Sequence, residues 1–278
     1  MLRLWRDRLL VSLAPDSIAL ARLTASPRPQ VIAKRAIDCD PAFGADPWQG
    51  AAAALATAVA PLLGDRVDVT VVLSNSFVRY AIVPFDSAVS NREEELALTR
   101  FHFARVHGER AKGWEVRMSA AARHGASRMA SAVDAGLTAA IRACFPPRAK
   151  AQLASVQPYL MSAFNLWRGD LAGKDAWLLL VEPRRACLAL FAGRAWTAVQ
   201  TSRGEFPGVE DWAALLDRQE LRTDAASTPR TVLVHACAGR KPIAGEAHGW
   251  KFLGLTLPPL DGFLPLEDGR LAMALTSR

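Results

Sequence analysis

The chain of 278 residues has only four cysteines, Cys39, Cys144, Cys187 and Cys237, far apart and with no C-x-x-C pair. That excludes a disulfide framework and a cysteine zinc site, and leaves free thiols in apolar stretches. Low-complexity tracts are also missing. With 51% hydrophobic and 22% charged residues, and 17 prolines and 18 glycines spread along the chain, disorder, collagen and coiled coil are excluded. No apolar run reaches the roughly 20 residues that cross a bilayer; the longest low-charge stretch, Gly50 to Gly64, is alanine-rich and reads as a packed helix. The N-terminus alternates charged and apolar residues and offers no secretory signal, so a cytoplasmic location is expected.

Blocks of one charge are absent too. The net charge of +7 comes from arginines dispersed singly, which predicts a solvated basic surface. Such a surface attracts polyanions without reading sequence. The aromatics do not interleave with the basic residues as a single-strand-binding platform requires, and nucleic acid is not an expected partner.

A repeat is present instead. Leu10 to Leu23 aligns without a gap on Leu178 to Phe191, about 168 positions on, with Pro15 over Pro183. Each copy reads as a strand, a turn at the proline and a return strand. A third strand follows in each (30–37; 195–202), then a helix (47–63; 207–221) and a β-rich run (67–74; 229–235). Two β-β-β-α-β units predict an α/β protein of duplicated mixed-sheet lobes.

Between the copies lies an insertion with strands at 78–83, 114–121 and 128–133 and a helix at 91–107. Ser90 and Glu93 stand at capping-box spacing for that helix, and Leu96, Ala97, Phe101, Phe103 and Ala104 are expected to form its buried face. A helix at 135–144, a strand at 153–157 and a helix at 158–167 lead into the second copy. The expected division is 1–77 for the first part of lobe 1, 78–135 for an inserted subdomain, 136–170 for the completion of lobe 1 and an interlobe helix, and 171–278 for lobe 2. The last 40 or so residues are not placed beyond a strand at 250–257.

The doubled hairpins, the inserted helix with Glu93-Glu94-Glu95-Leu96, and the passage Leu153 to Asn165 resemble the actin-like (RNase H-like) cytoplasmic proteins of type IV pilus and type II secretion inner-membrane platforms, the PilM and GspL cytoplasmic-domain type. The likeness spans roughly residues 8 to 240 and rests on element order. In nucleotide-binding members of that fold the first hairpin resembles Asp-x-Gly-Ser-Ser. Here the matching residues are Ser12, Ala14, Pro15, Asp16 and Ser17, without the acid or the glycine. Proline has no N–H to offer a phosphate and alanine resists the positive φ that glycine accepts. The second hairpin reads Leu180, Glu182, Pro183, Arg184 and Arg185, which sets a carboxylate where phosphate would sit. The adenosine-side glycine pair is reduced to Ala236-Cys237-Ala238-Gly239.

The resemblance therefore implies a non-catalytic relative without cofactor or metal, peripherally attached to the inner membrane. It would grip the cytoplasmic N-terminal segment of a membrane-anchored pilus or secretion protein in a cleft involving the insertion, with homo-oligomerisation open. Arg79, Arg100 and Phe103 are the candidate partner-binding residues. The alternative is a divergent ATPase or kinase whose phosphate contacts have moved to Asp16, Arg184 and Arg185. Other motifs fall short. Gly169 to Asp175 lacks P-loop spacing and precedes a strand. His102 and His107 point more than about 100° apart on their helix, and His124, His235 and His248 lack companions at metal spacing. Ser74-Asn75-Ser76 ends a strand without a nucleophile elbow and reads as a strand-to-loop cap.

Overall fold

The computed structural model describes residues 6–63, 66–89, 91–120, 125–146, 151–221, 229–237 and 244–278. Lobe 1 is a five-stranded sheet of β1 (Asp7–Ala14), β2 (Ser17–Leu23), β3 (Val31–Asp38), β4 (Val67–Leu73) and β8 (Ala151–Pro158), in the order β3-β2-β1-β4-β8. Lobe 2 repeats it with β9 (Ala176–Glu182), β10 (Arg185–Ala192), β11 (Ala195–Arg203), β12 (Thr231–Ala236), β13 (Gly245–Ala247) and β14 (Trp250–Gly254), in the order β11-β10-β9-β12-β14-β13. In each sheet the hairpin strands pair antiparallel, while β1–β4–β8 and β9–β12–β14 run parallel.

The repeat holds to the residue at the turns. β1 ends at Ala14 and β9 at its aligned partner Glu182; β2 starts at Ser17 and β10 at Arg185. It extends to the neighbouring strand: Ser74 N–H donates to Leu13 O at 2.9 Å, and Cys237 N–H to the equivalent Val181 O at 2.9 Å. The central parallel strands β9 and β12 are near-continuous apolar runs because both faces are covered. On one face of lobe 1 lie α1 (Gln49–Val59) and α3 (Ala135–Ala143), packing Leu55, Val59, Leu137 and Ile141 against Leu9, Val11, Val69 and Val71. In lobe 2 α5 (Val209–Glu220) inserts Trp212 and Leu216 against Leu179 and Val232. The helix between the lobes, α4 (Tyr159–Leu171), shares one core with β4 through Val72 and with lobe 2 through Leu178, Leu180 and Leu233.

The insertion forms its own three-stranded sheet, β5 (Val78–Val83), β7 (Arg128–Asp134) and β6 (Trp114–Met118), ordered β5-β7-β6 and covered by α2 (Arg92–His107). Two expectations for α2 are corrected. Its N-cap is Asn91, whose Oδ1 accepts from Glu93 N–H at 2.9 Å and Glu94 N–H at 3.0 Å; Ser90 lies outside the described residues. Its inward stripe is Leu96, Thr99 and Phe103, with Ala97, Phe101 and Ala104 exposed. A helix lying over one face of a small sheet buries a narrow stripe, and here the stripe is turned from the one the apolar residues suggest.

The C-terminal segment is also corrected. Expected with lobe 2, residues 258–278 instead cross back to lobe 1. Leu271, Ala274 and Leu275 pack on Leu10, Ala19, Ala21 and Leu23, the second face of the lobe 1 sheet. Lys34 pairs with Asp268 at 2.6 Å, Arg270 with Asp38 at 2.6 Å, and Val31 N–H donates to Asp261 O at 2.9 Å. Lobe 1 has apolar strands on both faces, and the first copy alone supplies no element for the second face.

Candidate functional site

The two hairpin turns meet the space between the lobes differently. In lobe 1 the polar side chains are spent locally: Ser12 Oγ donates to Ala19 O at 3.4 Å, and Ser17 Oγ to Asp16 Oδ1 at 3.2 Å. The Asp16 carbonyl accepts from Cys39 N–H at 2.8 Å, and Ala14 packs into the interlobe core. Pro15 and Asp16 are half-buried. In lobe 2 Pro183 and Arg184 are exposed, while Glu182 and Arg185 are turned inward, 5% and 7% exposed.

Glu182 reaches across to the end of β4. One carboxylate oxygen accepts from Ser74 Oγ, the other from Asn75 N–H at 3.0 Å, and both partners are fully buried. Ser74 Oγ accepts in turn from Ser76 N–H at 3.0 Å, Tyr80 donates to Asn75 Oδ1 at 2.7 Å, and Arg185 Nε donates to Ser76 Oγ at 3.1 Å. Burial pushes the Glu182 carboxyl above its ordinary range, opposed by the Ser74 and Asn75 hydrogen bonds and the Arg185 charge. Burial lowers Arg185, and Arg79 and Arg203 push it further the same way. The result is a buried interlobe latch. Ser74-Asn75-Ser76, read from sequence as a loop cap, is its lobe 1 half. The carboxylate occupies space between the lobes, and Arg185 is engaged with protein rather than presented to a ligand.

The equivalent corner of lobe 2 is built differently. Cys237, the counterpart of Ser74, donates its thiol to Tyr159 OH at 3.1 Å, and that hydroxyl bonds His235 Nδ1. Burial holds His235 down to about 3 and pushes the Cys237 thiol up to about 12, so both are neutral at pH 7. Trp167 lies against the imidazole, 4.6 Å between ring centroids. Ala238 and Gly239, where the adenosine-side glycines were sought, lie outside the described residues.

A cavity of about 400 Å³ opens between lobe 1 and the insertion. One wall is residues 153–157 of β8, the edge strand of the lobe 1 sheet; another is Glu115 and Arg117 of β6, the edge strand of the inserted sheet. Met161 and Asn165 of α4 also line it. Arg142 of α3 holds Glu115 with two bonds, 2.6 and 2.8 Å, and Thr138 Oγ1 adds a third at 2.7 Å. The Arg142 hydrogen bond foremost brings the Glu115 carboxyl down to about 2. An edge strand carries unpaired backbone N–H and C=O groups, and an extended segment can add to it.

The three candidate partner residues are not brought together there. Phe103 is 2% exposed and packs edge-on to Trp114, 6.2 Å between centroids, so it is part of the subdomain core. Arg100 is exposed on α2. Arg79 lines a different cavity, its Nη1 donating to Ser76 O at 3.2 Å and Val78 O at 3.1 Å. Glu115, Arg142 and the β8 edge were missed: the strand at 153–157 was visible in sequence, but its place at the edge depends on strand order. Gly169 to Asp175 spans the end of α4 and the turn into β9, with Asp175 Oδ1 accepting from Gly193 N–H at 2.8 Å. His107 stacks on Phe103, and His124 lies outside the described residues. Among the described residues no group of three or more His, Cys, Asp or Glu is placed to hold a metal, and no helix is long and apolar enough to cross a membrane.

No protein-family model matches the chain, and no curated protein sequence does. Solved structures do. The cytoplasmic domain of EpsL, an inner-membrane component of the type II secretion system of Vibrio cholerae, superposes with a TM-score of 0.59 at 13% identity, covering 98% of this chain and 96% of that one. The PilM–PilN type IV pilus biogenesis complex gives 0.55 at 14% identity, covering 84% and 82%. A Bacteroides thetaiotaomicron protein with an actin-like ATPase fold gives 0.52 at 12% identity, also covering 84% and 82%. The chain has the actin-like fold.

Proposed function

We propose that this actin-like chain is a non-catalytic scaffold that docks onto the cytoplasmic N-terminal segment of an inner-membrane component of a pilus or secretion assembly. The observation that carries the reading is the Glu182 latch. A carboxylate fixed to Ser74 and Asn75 stands between the hairpins, where a nucleotide phosphate would need backbone donors and positive charge. Pro15 and Pro183 offer no N–H at the turns. The cavity between β6 and β8 supports the binding half: two sheet edges frame a space of about 400 Å³, with the Glu115–Arg142 pair in its wall. Recognition would be by strand addition on β8, with side chains of the segment entering the space beside Met161. Peripheral attachment to the membrane would follow from the partner. The test is titration with the cytoplasmic N-terminal segments of the inner-membrane pilus and secretion proteins of the same organism. One segment is expected to bind the wild type and to be lost with Ala154→Pro on β8; equal binding to that variant, with its fold intact by circular dichroism, would contradict the reading.

A further inference from the structure

A second cavity, of about 440 Å³, lies where the insertion meets both lobes. Its walls come from the loop before α1, with Asp46 and Trp48; from the insertion, with Arg79, Arg110 and Trp114; and from lobe 2, with Arg203 at the end of β11. The turn residues Pro15, Asp16, Pro183 and Arg184 do not line it, so it is not the space between the hairpins.

Arginines outnumber carboxylates in its wall. Arg79 is half-buried and fixed by two carbonyls, which occupy one nitrogen of a guanidinium with five N–H donors. Among the described residues Arg79, Arg110 and Arg203 have no carboxylate within ion-pairing distance. Of the two carboxylates in the wall, Asp46 is exposed and Asp134 caps α3, its Oδ1 accepting from Gly136 N–H at 2.7 Å. Burial lowers Arg79, and the Arg203 charge lowers it further. Two indoles complete the wall. Trp48 is seated against Gly136, where an added Cβ would come within 2.8 Å of its ring, and its buried Nε1 has no acceptor. Trp114 is held by Phe103 and by His107, at centroid distances of 6.2 and 5.0 Å.

Guanidiniums without a carboxylate partner in a concave site match a phosphate or carboxylate, and flat apolar walls match a ring. We propose that this cavity binds a small organic oxyanion, its phosphate or carboxylate head clamped between Arg79 and Arg203 and its flat body against Trp48 and Trp114. Because Arg203 belongs to lobe 2 and Arg79 to the insertion in lobe 1, the ligand also ties the two together. The proposal is independent of partner capture at β8.

The probes are phenyl phosphate and phthalate, titrated in EDTA with thermal unfolding and tryptophan fluorescence as readouts. At least one is expected to bind the wild type saturably and raise Tm; which one does so identifies the head group. Arg203→Gln, at an exposed position, and Arg79→Gln are each expected to weaken binding at least about tenfold, the scale of a lost charge-assisted hydrogen bond. Arg184→Gln, at the hairpin turn, is expected to leave it unchanged. Absence of binding by both probes would overturn the proposal, as would undiminished binding to Arg203→Gln.

Discussion

The same hairpin occurs twice in this molecule, and the two copies end differently. In lobe 1 the position that closes the first strand is Ala14, packed into the interlobe core, and the neighbouring hydroxyls bond within their own turn. In lobe 2 the aligned position is Glu182, which crosses to Ser74 and Asn75 of the other lobe. At the adjacent parallel strand the order reverses: lobe 1 supplies the hydroxyl of Ser74, lobe 2 the thiol of Cys237. A duplicated backbone thus carries a carboxylate latch on one diagonal and a corner of neutral, buried hydrogen-bonding groups on the other. Symmetry of fold places the groups, and the side chains at a few strand ends decide whether that place can receive an anion.

The largest expected effect is at the latch. Glu182→Ala leaves the Ser74 hydroxyl and Asn75 N–H buried without an acceptor and is expected to cost about 3 kcal/mol in denaturant unfolding. Ser12→Ala, a buried hydroxyl of the other hairpin whose bond is long, is expected to cost under about 1 kcal/mol. Equal costs would mean that the latch carries no special load.

The corner at His235 responds to pH. His235 has a folded pKa depressed to about 3, so its contribution to stability is full above its ordinary value of 6.5 and is lost as pH falls through the window between them. The loss is expected to reach about 2 kcal/mol between pH 6.5 and 5, at about 1.4 kcal/mol per pH unit. The Glu182 carboxyl, raised by burial, works in the opposite sense, contributing stability below its unfolded value and losing it as pH rises. The difference in slope between wild type and His235→Asn therefore isolates the histidine; parallel slopes would remove it.

How much of this was legible follows the same division. The proline turns, the repeat and the boundaries of strands such as Val78–Val83 are local, and turn chemistry with apolar runs announces them. The loss of acid and glycine at the first hairpin could be read directly from Ala14 and Pro15. The latch could not, because Glu182 and Ser74 are 108 residues apart and only the meeting of two sheets pairs them. Phe103 is legible from sequence both as part of the buried face of α2 and as a partner contact; it lies in the subdomain core, a placement that depends on the small sheet beneath the helix. The return of residues 258–278 to lobe 1 was illegible because their apolar residues, Leu271 and Leu275 among them, follow no long periodic element.

The smallest expected stability effect is at the rim of the β6–β8 cavity. Arg142 is half exposed, and Arg142→Glu is expected to change stability by under about 1 kcal/mol while weakening capture of an extended segment. Arg100→Glu, on the outer face of α2, is expected to change neither. Calorimetric titration of both variants with a bound segment checks this, and the reverse ranking would move the interface to the outer face of α2.

Whether the hairpins hold nucleotide is read from thermal unfolding with and without saturating magnesium–ATP. A ligand at about 100 times its Kd stabilises by about 2.7 kcal/mol, which shifts Tm by several degrees in a chain of this size. No shift is expected for the wild type; a shift of several degrees that requires magnesium would mean that the hairpins hold nucleotide after all.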